Sequence, residues 1–492
     1  MSESLTNKTA NGVVWSVIDA AANSGITFLV GIILARMLTP EEYGLIGIIA
    51  IFIALFQSVV DSGLTTAIIR DKKAGQLDFS TAFYSNVVLG ILMSFLLFTL
   101  APLIASFFKR EELLWLTRAM SAVLLINSFS AVQRALLVRA IDFKSQALVS
   151  VIASITSGVV GIVMAYYGMG VWSLVGQQLS RYLLQSIMLW VLSKWRPSLQ
   201  FSAVSFKRMF KFGWKIMVSG IIGSIWNESY QIVIGKFYTP ASLGQYTRAK
   251  QFSDIFSTHI TSIMQRVTFP ALSTIQDESE RLRESFRRLI KLLMLVTSLL
   301  LLGVAASSEA LIFSIIGPQW DVAVKYLPIL CLQVLFYPVS SLSLNILMVK
   351  GRSDLYLFLE IIKRVVAIIP LIVGIFVGIY AMLWSSVLYG FFAFLLNTGF
   401  SGRQINYSIK DLFYDIIPTL VMGGVVAGCV YLVGKVDVGY VTKLLLQILT
   451  GTLSSIVVIR LFYYKEVCPY IEMAKDFIKR RILTSNKHDG ER

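Results

Sequence analysis

The sequence predicts an all-α polytopic membrane protein, and three observations lead there: near-continuous apolar stretches, basic residues gathered in alternate loops, and an internal repeat. Of the 492 residues 56% are hydrophobic and 15% charged, with a mean hydropathy of +0.72. A soluble domain of that composition would have too little polar surface to face water. A spanning helix needs about 20 predominantly apolar residues. Such stretches recur over 11–35, 44–69, 81–106, 117–138, 146–168, 171–192, 211–235, 244–270, 288–313, 328–349, 355–379, 380–401, 412–434 and 438–463. This gives roughly fourteen transmembrane helices. The stretch at 244–270 is the most interrupted, and it is retained because it preserves the alternation of loop charge.

That alternation explains the net charge of +16. Arg70, Lys72 and Lys73 follow the second span, Arg139 and Lys144 the fourth, and Lys194, Arg196, Lys207, Arg208 and Lys211 the sixth. Arg281, Arg283, Arg287 and Arg288 follow the eighth, Lys350 and Arg352 the tenth, and Arg403 and Lys410 the twelfth; Lys475, Lys479, Arg480 and Arg481 lie in the tail. By the positive-inside rule both termini are expected on the cytoplasmic side of a bacterial inner membrane. The lipid bilayer, and not nucleic acid, is the partner this placement implies. Met1 to Ala10 is polar, with no short apolar core before a small-residue cleavage site, so the first span is expected to target the chain without a cleavable signal peptide. Cys331, Cys429 and Cys468 are too scattered for a metal site or a disulfide framework.

The repeat has an offset of about 200 residues. Thr39-Pro40 with Gly44 reappears as Thr239-Pro240 with Gly244, and Trp15 has a counterpart in Trp214. Leu103-Ile104 with Ser106 matches Leu311-Ile312 with Ser314; Val138-Arg139 matches Val349-Lys350; Trp172-Ser173 matches Trp384-Ser385. An even number of spans per copy gives both copies one orientation, related by an axis along the membrane normal. The expected organisation is an N-terminal lobe over 1–193, a cytoplasmic amphipathic linker over 194–210, and a C-terminal lobe over 211–402. Two additional spans over 403–463 and a basic tail over 464–492 complete it.

No enzyme signature is present: there is no GxxxxGK[ST] loop, and His259 and His488 are the only histidines, too few for a zinc cluster. Glu41-Glu42 and Glu111-Glu112 read as solvated turns. What demands explanation is polarity inside the spans, because a charge at mid-helix costs about 2.5–3.5 kcal/mol on insertion scales. These residues form stripes of helical period. Asp19 and Asn23 share a face of the first span, Gln57, Asp61 and Thr65 of the second, Asn127 and Arg134 of the fourth, and Gln178 and Arg181 of the sixth. Asn227, Glu228 and Gln231 cluster on the seventh; Arg248, His259 and Arg266 recur on the eighth, beside the i, i+4 pair Lys250 and Asp254. Helices 1, 2, 4, 7 and 8 are therefore expected to line a wet space. Arg134 and Arg266 lie near cytoplasmic ends, where snorkelling is the simpler account. Arg181 sits mid-span without an acidic neighbour on its own helix, leaving a cavity role or a pair with Asp19 or Asp61.

Asn11-Gly12 with Trp15, the run Ala35-Arg36-Met37-Leu38-Thr39-Pro40 with Tyr43-Gly44, Asp61-Ser62-Gly63-Leu64, and Ile316-Gly317-Pro318-Gln319-Trp320 together resemble a known family. They are similar to the polysaccharide transporters, the Wzx-type flippases for O-antigen, colanic-acid and capsular repeat units. These belong to a superfamily that also holds multidrug and toxic compound extrusion proteins. The resemblance implies a V-shaped two-lobed bundle, alternating access, an undecaprenyl-diphosphate-linked oligosaccharide as cargo, and polysaccharide polymerase machinery as a partner. The arginines of the related lipid II flippases do not carry over, since the first helix has Asp19 without an adjacent basic residue. Cargo contacts therefore rest on burial cost and periodicity. Arg181, Arg248, Lys250, Arg134 and Arg266 are the candidate cations for the diphosphate. Asp19, Asp61, Glu228 and Asp254 are candidates to tune them or to bind a coupling Na+ or H+, and no cofactor is expected beyond such an ion. Asn23, Gln57, Asn127, Gln178, Asn227, Gln231 and His259 are the candidate neutral lining. An ion-coupled multidrug exporter, which would want an acid-dominated cavity, and a membrane-embedded glycan polymerase, which would want a larger outer loop, are the competing readings.

Overall fold

The computed structural model describes residues 2–61 and 63–463 and, within them, every side chain but those of residues 2–14, 17, 263, 266, 267 and 463. The basic tail over 464–492, with Cys468, lies outside the described residues. All regular structure among the described residues is helical. In order come α1 (Ser2–Met37), α2 (Pro40–Val60), α3 (Leu64–Arg70), α4 (Gln76–Phe108), α5 (Glu112–Ser128), α6 (Ala131–Arg139), α7 (Phe143–Tyr166), α8 (Trp172–Leu192), α9 (Ala203–Phe237) and α10 (Pro240–Ser273). Then follow α11 (Ser279–Ala306), α12 (Ser308–Ile315), α13 (Asp321–Val334), α14 (Tyr337–Val349), α15 (Ser353–Val366), α16 (Ile368–Phe376), α17 (Ile379–Arg403), α18 (Ile409–Val433) and α19 (Tyr440–Val458). Contacts divide the chain between Thr247 and Arg248, inside α10, into two compact units.

Nine helices among the described residues are long and apolar enough to cross a membrane, or ten if the bent pair α5 and α6 forms one span. The predicted stretches do not all pass that test, for two reasons. α8, α9 and α10 are long but carry the polar stripes, with Arg181 on α8, Asn227, Glu228 and Gln231 on α9, and several charges on α10. α15 and α16 are each short, separated at Ala367.

In the first unit α1 packs on α7, α7 on α8, α4 on α5 and α2 on α9. The start of α2 shows why the repeated motif matters. Thr39 and Glu42 close a reciprocal capping box, with Pro40 in the first turn, where its missing N–H costs nothing. Glu41 pairs with Arg110 at 3.1 Å. Gly44 then lies so close to α10 that an added Cβ would stand 1.7 Å from the Pro240 carbonyl oxygen, and a Cβ on Gly244 would stand 1.9 Å from that of Pro40. The two copies of Thr-Pro-x-x-x-Gly thus meet each other, each glycine against the other's proline. Segment 194–210 is not one helix. Residues 193–202 run without helix along α4, where Gln76 Nε2 donates to the Arg196 carbonyl at 2.7 Å and Trp195 Nε1 donates to Gln76 Oε1 at 2.6 Å. Its remainder forms the first turns of α9, after Ser202, whose side chain accepts from the Ser205 N–H.

The second unit centres on α11 against α18 and on α17 against α13, α14 and α16. Its core gathers Phe286, Ile290, Met294, Leu342, Phe394 and Leu412. A buried polar seam joins α14 to α17, with Asn397 Nδ2 donating to Ser340 Oγ at 2.7 Å and Ser401 Oγ to the Ser343 carbonyl at 2.6 Å. Glu360 and Lys363 form the i, i+3 ion pair their spacing predicts.

Candidate functional site

Two helix breaks in the first unit make the site. Asp61 ends α2, its N–H donating to the Gln57 carbonyl at 2.8 Å while Gln57 Nε2 donates to Asp61 Oδ1 at 2.9 Å. Gly63 then takes a left-handed backbone, φ 68°, and a Cβ there would stand 2.5 Å from the Gly213 carbonyl oxygen. Glycine alone lets α9 lie against this break. The second break bends α5 from α6 by 41°. Between them opens a cavity of about 370 Å³, lined by Ser58, Asp61, Thr65, Thr66, Asn127 and Arg134, with Ile216, Met217 and Gly220 of α9 on one side. Ser58 Oγ and Ser224 Oγ lie 2.8 Å apart, tying α2 to α9.

Arg134 is the cation of this cavity. Its Nη2 donates to Asn127 Oδ1 at 3.2 Å, and it has no ion pair among the described residues. A guanidinium offers five N–H donors in a planar fork, so a single neutral amide leaves most of them to water or to an anion. Asp61 lines the same space, with Ser58, Thr65 and Thr66 adding hydroxyls. The arrangement is a polar pocket that sets one cation beside one carboxylate among hydroxyls and an amide, groups that can hydrogen-bond an anionic or hydroxyl-rich ligand.

The remaining candidates lie elsewhere. Arg181 Nη2 donates to Asn23 Oδ1 at 3.0 Å, Ser154 Oγ donates to the same oxygen at 2.6 Å, and Ser150 Oγ donates to Asp19 Oδ1. This is a seam through α1, α7 and α8, and Arg181 takes an amide partner where an aspartate was weighed; Gln178 sits near it on α8. On α9 Gln231 Nε2 donates to Glu228, with Asn227 exposed beside them. In the second unit Arg248 Nη1 donates to Gln251 Oε1 at 2.5 Å, Lys250 pairs with Asp254, and His259 is exposed on the same helix. The Arg266 side chain lies outside the described residues. Of the sequence candidates, Asp61, Asn127 and Arg134 meet in the cavity and Gln57 holds Asp61.

Two features escaped sequence reasoning. Asp415 is 2% exposed and accepts from Arg287 Nε at 2.6 Å, Arg287 Nη2 at 2.9 Å and the Tyr407 hydroxyl at 3.0 Å, with Lys291 Nζ at 3.4 Å. Burial, with the Asp415 charge adding to it, pushes the Tyr407 phenol far above its usual value, so it remains a donor. A carboxylate one turn inside an apolar stretch is the available signal, and by position in the sequence Arg287 is indistinguishable from the other cations of its loop. The second feature is an apolar groove of about 610 Å³ among α10, α11, α12, α18 and α19, lined by residues such as Leu299, Leu300, Leu444, Ile448 and Ile456.

The sequence profile of the polysaccharide biosynthesis protein family matches residues 33–325, running from α1 into α13. The chain belongs to the polysaccharide biosynthesis protein family. Among relatives in that field, it is 28% identical over 360 residues to the teichuronic acid biosynthesis protein TuaB of Bacillus subtilis (strain 168), covering 72% of this chain and 73% of that one. It is 25% identical over 434 residues to the lipopolysaccharide biosynthesis protein WzxC of Escherichia coli (strain K12), covering 85% and 87%. The family member also shares its fold with two solved structures. One is the lipid II flippase MurJ in an inward closed conformation, with a TM-score of 0.73 and 16% identity over 92% of this chain and all of that one. The other is an inward-facing multidrug resistance MATE family transporter, with a TM-score of 0.57 and 15% identity over 79% of this chain and 98% of that one. The chain is thus a multi-pass protein of the bacterial inner membrane with a MurJ-like and MATE-like fold.

Proposed function

We infer that this family member is a flippase that carries polyprenyl-diphosphate-linked oligosaccharide repeat units across the inner membrane by alternating access, supplying O-antigen, capsule or exopolysaccharide synthesis. The observation that carries the reading is Arg134, a half-buried cation without an ion pair in a hydroxyl-lined cavity between broken helices. A diphosphate presents acceptors to that fork, and a glycan presents hydroxyls to Ser58, Thr65, Thr66 and Asn127. Relatives named for teichuronic acid, lipopolysaccharide and succinoglycan biosynthesis support a glycan cargo. They weigh against the multidrug exporter that shares the fold. We further propose roughly fourteen crossings in two six-span lobes with two additional spans. In this proposal both termini are cytoplasmic, polymerase machinery is the downstream partner, and Asp61 binds a coupling H+ or Na+ or tunes Arg134.

The test is complementation of a strain lacking its lipid-linked oligosaccharide flippase. The wild-type chain is expected to restore surface polysaccharide, and Arg134→Gln at equal membrane abundance to fail. Restoration by Arg134→Gln at the wild-type level would remove the cavity assignment.

A further inference from the structure

A second hollow, about 430 Å³, lies along the same α3 and α9 seam and is lined by Arg70, Asp71, Lys72, Lys73, Arg208 and Phe212. We propose that it is a docking site for the diphosphate of a polyprenyl-linked lipid, occupied before that group reaches the cavity at Arg134. The proposal rests on the flippase reading and adds to it a place of first capture.

Arg70, Lys72 and Lys73 have no carboxylate partner among the described residues. Arg208 reaches Asp78 and, at 3.8 Å, Asp71. Positive-inside loading explains why cations occur in the loop after α3. It does not explain why they are gathered with Arg208, from the start of α9, around one hollow. Nor does it explain why they are held in place. Arg139 of α6 donates to the Ala74 carbonyl at 3.1 Å and the Lys72 carbonyl at 3.0 Å, the Lys73 N–H donates to Asp71 Oδ1 at 2.9 Å, and the Arg70 guanidinium lies 4.5 Å from the centre of the Phe212 ring. A turn fixed at its backbone presents its ammonium groups with little further ordering needed. Stacking leaves the N–H edge of Arg70 open to a phosphate.

The hollow is also placed for transfer. α3 lines it through Ala67 and Arg70 and lines the Arg134 cavity through Thr65, Thr66 and Ile69. α9 lines it through Phe212 and the cavity through Ile216 and Gly220, one and two turns further along. Three free cations favour a diphosphate over the single charge of a common phospholipid.

Binding of geranylgeranyl diphosphate to the full chain in phosphatidylcholine nanodiscs tests this. Arg70→Gln with Lys72→Gln and Lys73→Gln is expected to weaken binding by roughly tenfold or more, and nanodiscs containing phosphatidylglycerol to leave wild-type binding within about threefold of its value. Wild-type affinity in the triple variant would overturn the proposal, as would abolition of binding by phosphatidylglycerol, which would assign the hollow to bulk lipid. Should the triple variant not fold, Lys72→Gln with Lys73→Gln, both exposed, gives the same reading, with an expected loss of several-fold. Translocation by the wild-type chain is measured in parallel. Capture that depends on these cations without translocation would sink the flippase reading and leave the site standing; translocation with capture indifferent to them would do the reverse.

Discussion

Arg134 concentrates the chemistry at the scale of single residues. Charge-assisted hydrogen bonds contribute about 1.5–3 kcal/mol each, so Arg134→Gln is expected to slow cargo translocation by roughly ten- to a hundredfold. Arg134→Lys, which retains charge but loses the planar fork, is expected to fall between, read as initial rates in vesicles at matched protein content. Asp415 makes the contrasting case. Its carboxylate is fully buried, with Arg287, Lys291 and Tyr407 closing on it. Asp415→Ala strands cations that have lost their partner and is expected to cost about 3 kcal/mol, the low end for a broken buried pair because Arg287 is 43% exposed. Thermal unfolding in detergent should show a lowered Tm, and a double-mutant cycle with Arg287→Ala should show the two losses to be strongly non-additive.

At the scale of elements, the reciprocal contact between the starts of α2 and α10 makes the sharpest demand on sequence. Gly44→Ala or Gly244→Ala would push a Cβ into a backbone carbonyl that has no room to move aside, an overpacking cost of about 1–3 kcal/mol. Gly223→Ala on α9 meets nothing within 4 Å and is expected to be neutral or stabilising in the same unfolding measurement. Thr39-Pro40-Gly44 and Thr239-Pro240-Gly244 are legible as a repeat from the sequence; the expected single polar face through Gln57, Asp61 and Thr65 is instead divided by the break, which puts Thr65 on α3. Their partners were not. Helical period fixes which residues share a face, but not which helix lies opposite. Arg134 therefore reads from the sequence as a snorkelling cation and Arg181 as the mid-span candidate, although Arg134 lines the cavity and Arg181 bonds Asn23. The break at Gly63 was present as Asp61-Ser62-Gly63 within an apolar stretch, a turn signal that composition over a long window averages away. Ser58 and Thr66 joined the cavity only through that break.

At the scale of the whole molecule, alternate loading of basic residues carries the topology. Reporter fusions at Gly75 and Gly351 are expected to report the cytoplasm, and fusions at Lys109 and Gly378 the opposite side; Lys109 on the cytoplasmic side would break the alternation. Apolar content and charge alternation give the class of the molecule directly. They give the number of crossings less well, because α8, α9 and α10 trade apolar residues for the polar stripes a transporter needs. The measurement that bears most directly on the central claim is translocation of a fluorescent polyprenyl-diphosphate oligosaccharide in sealed vesicles holding the purified chain, compared with Arg134→Gln at equal density. The expected result is protein-dependent transfer to the far leaflet that falls at least about tenfold in the variant. Equal transfer by both proteins, or none above empty vesicles from the wild type, would contradict it.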